Sequence, residues 1–363
     1  MRFFAIPFAL VAMAVLVGPA RGADPGFQRL ELPHGAVNPR GAVDGEGRIH
    51  VTYAQGNDAF YVRWEGGKRG EPVPVNRGVE VSKGGERGPQ IAVAGDGAIG
   101  VVWQNRDALN CALSRDGGAT STPMDVRDAG ASGGVDCPTI GSDGAGDLIA
   151  VWIDGREEDR EDASAALYAA VLEPGGKRFG KNAKVNSAKT PACACCFPKV
   201  ASDGSGKFWV AFRGVQDGVR EIQLLASADR GKSFKGGPVS ADKWKTQGCP
   251  MAGPAVTVSP DGKTIALAWR AKSKLRAALS RDGGKRFADI DLADGAGMKD
   301  YPYLAIGDQG LLLLWSVERK WYAGRIAPKA AAPAPFDPDL GRGTASIVRG
   351  KDGVVWLLAG AED

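Results

Sequence analysis

Beyond residue 26 the apolar positions fall in short runs parted by Gly- and Asp-containing turns, and no stretch carries a long helical periodicity. The runs follow one unit: Pro, seven residues, Gly, five residues, aromatic. It stands complete at Pro39/Gly47/Tyr53, Pro89/Gly97/Trp103, Pro138/Gly146/Trp152 and Pro198/Gly206/Phe212. Pro254/Gly262/Trp269 has one residue more, Pro302/Gly310/Trp315 one fewer, and Ala345/Gly353/Ala359 is a worn seventh copy. An apolar run, a Gly turn and a second apolar run ending on a ring predict a β-hairpin. Successive starts lie 43 to 60 residues apart by subtraction, which is the period of a propeller blade. Residues 27–32 form a lone strand ahead of the first unit, placed to join the last one and close a ring.

A second pair of strands follows each hairpin, and several of these pairs turn on Ser-x-Asp-x-Gly. Ser227, Asp229, Gly231 and Phe234 fit S-x-D-x-G-x-x-F, as do Ser280, Asp282, Gly284 and Phe287; Ser114, Asp116 and Gly118 lack the final ring. Ser and Asp side chains hydrogen-bond turn amides, and Gly takes positive φ. These turns resemble the Asp boxes of the sialidase (neuraminidase) superfamily, from about residue 39 to 315. The expected fold is all-β, a propeller of four-stranded blades. Hairpin counting gives seven blades, and the resemblance implies six. The turns are read as structural and lie away from any site.

Composition adds a compartment. Arg2 followed by an apolar core and small residues reads as an export signal over residues 1–23, leaving one domain over 24–363. The expected product is periplasmic or secreted, monomeric and without a membrane span once the signal is removed. A formal net charge of +4, spread without a basic stripe, argues against nucleic acid. Six cysteines behind an export signal sit in an oxidising compartment. The charge run at residues 155–162 is read as a solvated turn in preference to a Ca²⁺ loop, and residues 327–340 as a stiff linker.

Hairpin parity puts the Pro end of each unit and the residues just after its aromatic on one face. Cys111, Cys137, Cys193, Cys195, Cys196 and Cys249 are all placed there, with Arg213, Arg270 and Tyr301. The sialidase resemblance implies an arginine clamp on a carboxylate and a Tyr nucleophile activated by Glu. Tyr301-Pro-Tyr303-Leu304 is similar to the family's nucleophile strand, Arg213 to its second arginine, Arg270 to a third, and Arg87-Gly-Pro89 to its first motif, though in the next unit. Val37 stands where the first arginine belongs, Cys195-Cys196-Phe197-Pro198 where the activating Glu belongs, and Asp58 is a positional candidate for the acid. Cys193-x-Cys195-Cys196 with Cys249-Pro250 resembles a bacterial subgroup of sialidase-like propellers.

Three readings of the cysteines stay open: staples between neighbouring blades such as Cys111 with Cys137 and one of Cys193, Cys195 and Cys196 with Cys249, a soft-metal site suited to Cu(I), and a vicinal Cys195–Cys196 bridge. No resident cofactor is expected. The leading function is binding of a glycan, another small ligand or a protein partner at the cysteine-bearing face. The alternative is a glycoside hydrolase acting through Tyr301, Arg213, Arg270 and Arg87.

Overall fold

The computed structural model describes residues 27–84, 86–159, 164–246, 250–290, 292, 299–308, 310–318, 320–326 and 344–360. The export segment, Cys249, residues 160–162 of the charge run and the 327–340 linker lie outside them. The described residues contain strands and no helix, as the short apolar runs require.

Each unit opens with a strand at its Pro end: Val37–Val43, Gln90–Val93, Val135–Ser142, Lys199–Ser202, Ala255–Val258, Lys299–Gly307 and Ala345–Arg349. Each of these pairs antiparallel with the strand after the Gly turn. Each also lies against the opening strand of the next unit in chain order, and the seventh lies against the first. Such neighbourhood in a circle is the ring of a β-propeller. Residues 27–32 behave as expected: Phe27–Glu31 pairs with Val355–Ala359, in parallel register from Phe27↔Val355 to Glu31↔Ala359. The last unit therefore contains a strand from each end of the chain.

The aromatic that closes each second strand is buried at Tyr53, Trp103, Trp152, Phe212, Trp269 and Trp315. Apolar side chains form a separate layer between every two neighbouring units, for example Ile99, Val101 and Trp103 with Ala54 and Tyr61, or Phe208, Val210 and Phe212 with Ile149 and Val151. Burying one such large side chain contributes about 1.5–3 kcal/mol.

The Ser-x-Asp-x-Gly turns are hydrogen-bonded as their chemistry predicts. The hydroxyls of Ser114, Ser227 and Ser280 donate to Asp116, Asp229 and Asp282 at 2.8, 2.7 and 2.8 Å. The amides of Gly118, Gly231 and Gly284, all at positive φ, donate back to those hydroxyls at 2.8–2.9 Å. Phe234 and Phe287 pack under their own turns against the inter-unit layers.

In the charge run, Arg156 binds Asp154 at 2.9 Å and stacks over Tyr168 at 4.0 Å, while Glu157 accepts from Tyr168 and Lys184. The run is therefore not the turn expected: residues 155–159 continue the strand Leu148–Asp159, and Glu157 is engaged by side chains of the same sheet.

The Asp turns set an acid limit. The Thr120 hydroxyl holds Asp116 at about 2, the Ser233 hydroxyl does so for Asp229, and the Arg286 amide for Asp282. Carboxylates depressed in the folded state contribute stability that is complete above their unfolded value, about 4, and lost as the pH falls toward 2. The urea midpoint is expected to hold from pH 7 to about 5 and to fall below about 4. Asp282→Asn should be less stable at pH 7 and show a shallower fall; an unchanged acid profile in the variant would refute the assignment.

Candidate functional site

Three opening strands, in the first, third and sixth units, break register just where their Pro stands, between Val37 and Arg40, Asp136 and Thr139, and Asp300 and Tyr303. The residue before each of those prolines has positive φ: Asn38 at 53°, Cys137 at 50° and Tyr301 at 53°. A left-handed residue is uncommon for Cys and Tyr, and the position before Pro favours extended backbone, so each bulge is a strained feature held by its surroundings. Bulges re-aim side chains. Here they turn the residue after each Pro toward the propeller axis.

Contacts between units that are not neighbours identify the axis, because such units meet nowhere else. The Arg40 guanidinium of the first unit lies 5.2 Å from the ring centre of Tyr303 in the sixth. The Lys199 ammonium of the fourth lies 5.8 Å from that ring and 6.0 Å from Phe197. It also ion-pairs at 3.0 Å with Glu86, on the loop into the second unit. Arg87, next in the chain, lies over Phe197 at 5.8 Å and ion-pairs with Asp136 at 2.9 Å. The side chain of Asn38 donates to the Arg87 carbonyl.

The inner part of the cluster is nearly dry, while the Arg87–Asp136 pair is about a quarter exposed. Glu86 is buried, and Arg40 is 8 % exposed. Burial lowers the pKa of Lys199, while the Glu86 carboxylate works the other way. Burial pushes Tyr303 well above its ordinary range, and its hydroxyl hydrogen-bonds Glu86, which raises it further. Tyr303 is thus a neutral phenol and a hydrogen-bond donor. Among the described residues Arg40, Arg87 and Lys199 face Glu86 and Asp136, three cations against two carboxylates, so one positive charge is left over. The Arg40 Nη atoms donate to the carbonyls of Pro39 and Glu86, and its buried Nε has no hydrogen-bond partner among the described residues.

The residues singled out from sequence divide. Arg87 and Tyr301 belong to this mouth, and the Tyr301 phenol acts electrostatically on Arg87. Arg213 is 1 % exposed. Its strand runs three residues beyond it to Gln216, and Ala192–Cys193 pairs across at Gly214, so the side chain is covered. Its guanidinium donates to the carbonyls of Ala252 and Arg270 at 2.9 and 2.7 Å and stacks on Trp244 at 4.9 Å. Arg270 stacks on the same Trp244 at 5.5 Å and donates to the Lys272 carbonyl. Asp58 accepts from Asn76.

The cysteines do not all converge. Cys111 pairs with Val102 in the middle of its strand, below the mouth. It packs between the second and third units, whereas Cys137 packs between the third and fourth. The two lie on opposite faces of the third unit's sheet, so the expected staple does not form and both are free thiols. Cys193 and Cys196 are also free and buried, with Sγ atoms 3.2 Å apart. Cys195 is disulfide-bonded. The Cys137 thiol faces the Cys195 carbonyl at 3.8 Å.

Parity counted from the ends of the hairpins overlooked the residue after each unit's Pro. That column reads Arg40, Gln90, Thr139, Lys199, Ala255 and Tyr303. Polar or charged residues at an opening strand of otherwise apolar character were its available signal. Glu86 left none, since it stands in an irregular loop.

No family model matches the chain, and no curated protein matches it. Solved structures do resemble it. A xyloglucanase from Xanthomonas campestris superimposes with a TM-score of 0.55 at 18 % identity, over 90 % of this chain and 47 % of that one. An α-L-arabinofuranosidase from Fusarium graminearum gives 0.50 at 15 % identity, over 84 % and 93 %. A microbial sialidase gives 0.49 at 16 %, over 78 % and 63 %. The xyloglucanase and the arabinofuranosidase are β-propeller glycosidases, and at such identities their likeness establishes the propeller fold alone. The chain spans about half of the xyloglucanase and under two thirds of the sialidase.

The Glu86–Lys199 pair should behave as one unit. Glu86→Gln leaves a buried ammonium uncompensated and is expected to cost about 3 kcal/mol in urea unfolding. The double variant Glu86→Gln, Lys199→Met should recover a large part of that loss. Additive single effects would show that the pair is not coupled.

Proposed function

We propose that the protein is a sialidase-like propeller that binds an acidic saccharide at its axial mouth without hydrolysing it. The observation that carries this reading is the surplus positive charge at the axis: Arg40, Arg87 and Lys199 against Glu86 and Asp136. A carboxylate entering the mouth supplies the missing anion, and guanidinium forks suit it. The rings of Phe197 and Tyr303, already used by cations, offer apolar faces for a sugar. The solved neighbours act on carbohydrates by their names, which agrees with this class of ligand.

The same chemistry disfavours hydrolysis. The strand that should supply an activating Glu to Tyr301 carries Cys195-Cys196-Phe197-Pro198 instead, and the neighbouring Tyr303 is a neutral phenol held by burial and by Glu86. Each carboxylate of the cluster is already engaged by a cation, so none is free to serve a leaving group. Arg213, the candidate for a substrate clamp, is spent on two backbone carbonyls. The strained Tyr301 backbone is the one observation that favours the hydrolase alternative.

Calorimetric titration with sialic acid and glucuronic acid, set against glucose, tests the reading. An acidic sugar should bind and glucose should not, and Arg87→Gln should weaken binding by roughly 10- to 100-fold, the loss of one charge-assisted hydrogen bond. A fluorogenic sialoside should not turn over. Turnover that disappears in Tyr301→Phe would replace this reading with the hydrolase, and failure of both acidic sugars to bind would overturn it.

A further inference from the structure

Cys193-Ala194-Cys195-Cys196 folds as a tight turn, with the Cys196 amide directed at the Cys193 carbonyl at 3.4 Å. The turn brings two free, buried sulfurs, those of Cys193 and Cys196, to 3.2 Å. A thiol is a weak hydrogen-bond acceptor, yet both sulfurs here are supplied with donors. Cys193 Sγ receives Arg220 Nη1 at 3.3 Å and the Cys195 amide. Cys196 Sγ receives the Ala252 amide from the next unit. Arg220 is 3 % exposed and Arg213, whose charge also acts on both sulfurs, is 1 % exposed. One buried guanidinium and two amides aimed at a pair of sulfurs, with a second buried guanidinium close by, are an environment for thiolate charge, which an apolar core does not need. Two thiolates this close repel each other unless a cation lies between them.

We infer that Cys193 and Cys196 form a binding site for a single soft monovalent cation, Cu(I), held as a bis-thiolate. Binding breaks the two S–H bonds, forms two S–Cu bonds and releases two protons to solvent; no oxidation state changes. The resulting complex carries one negative charge, which Arg220 offsets at contact distance. Amide and guanidinium donors to the sulfurs act as the outer shell that such sites require. The chemistry selects among metals. Thiolates favour Cu(I) or Zn²⁺, but Zn²⁺ in a structural site takes four ligands. Among the described residues the metal-capable group here is Cys193, Cys195 and Cys196, with sulfurs within 4.8 Å of one another. Cys195 is disulfide-bonded and is not available as a thiolate. Of the two histidines, His50 is occupied by Asp44 and Tyr61 in the first unit. Among the described residues, Cys193 and Cys196 are the pair left to hold a two-coordinate soft ion. Met251, 40 % exposed, precedes Ala252 and offers a thioether on the solvent side of the turn.

The test uses the full-length protein, kept anaerobic with its Cys195 disulfide intact, loaded with Cu(I) and challenged with bathocuproine disulfonate. One Cu(I) per chain should resist the chelator, and X-ray absorption should show sulfur-only, two-coordinate copper. Cys193→Ser and Cys196→Ser should each release it, while Cys111→Ala, on the far side of the third unit, should retain it. Arg220→Gln should weaken retention roughly 10- to 100-fold. The wild-type competition and spectrum stand alone if a variant fails to fold. The site is refuted if the chelator strips the wild type, if the serine variants keep the metal, or if Zn²⁺ is retained equally well. Closure of a Cys193–Cys196 disulfide in the presence of Cu(I) refutes it too.

Discussion

The parallel pairing of Phe27–Glu31 with Val355–Ala359 holds the first and last units of the chain in one sheet, and the rest of the molecule depends on it. With the ring closed, the seventh opening strand lies against the first, and every apolar layer has a sheet on each side. An open ring would expose two such layers and two long strand edges. Closure also creates the axis. Side chains from the first, second, fourth and sixth units contact one another because seven opening strands are held around one centre.

At that centre, burial and charge oppose each other. Desolvating a lysine or a glutamate is expensive, and each is tolerated because the other is there. Arg40 is the exception: among the described residues no carboxylate of the cluster balances its charge, and its buried Nε has no hydrogen-bond partner. Buried polar groups are ordinarily hydrogen-bonded, so an unsatisfied guanidinium nitrogen at this depth is a costly feature to retain. The uncompensated guanidinium and the neutral phenol of Tyr303 thus stand side by side at the axis, one a cation and the other a hydrogen-bond donor.

Much of the architecture was legible because it is local. Pro, Gly and the aromatic mark where each hairpin starts, turns and ends, and Ser-x-Asp-x-Gly specifies hydrogen bonds within a few residues. The lone strand at residues 27–32 was legible for the same reason, as a β-run with no partner in its own unit. What escaped depends on distance in the chain. Arg213 lies after its aromatic, as parity requires, but a strand from another part of the sequence covers it. Cys111 and Cys137 are near in sequence, yet the sheet of the third unit stands between them. Glu86 meets Lys199 across the axis, a contact that no spacing announces.

The two candidate sites are physically continuous. Phe197 follows Cys196 directly, and its ring lies beneath both Arg87 and Lys199. The same loop is pinned from the fifth unit: a Cβ on Gly253 would stand 2.0 Å from the Phe197 carbonyl, so only glycine permits the approach. Ala252, one residue earlier, gives its amide to Cys196 and its carbonyl to Arg213. The cysteine turn, the buried arginine and the ring at the mouth are thus fixed by one short stretch of the fifth unit. Because Cys196 and Phe197 are adjacent, the sulfur pair and the ring under Arg87 and Lys199 share one backbone segment, held in place by Ala252 and Gly253.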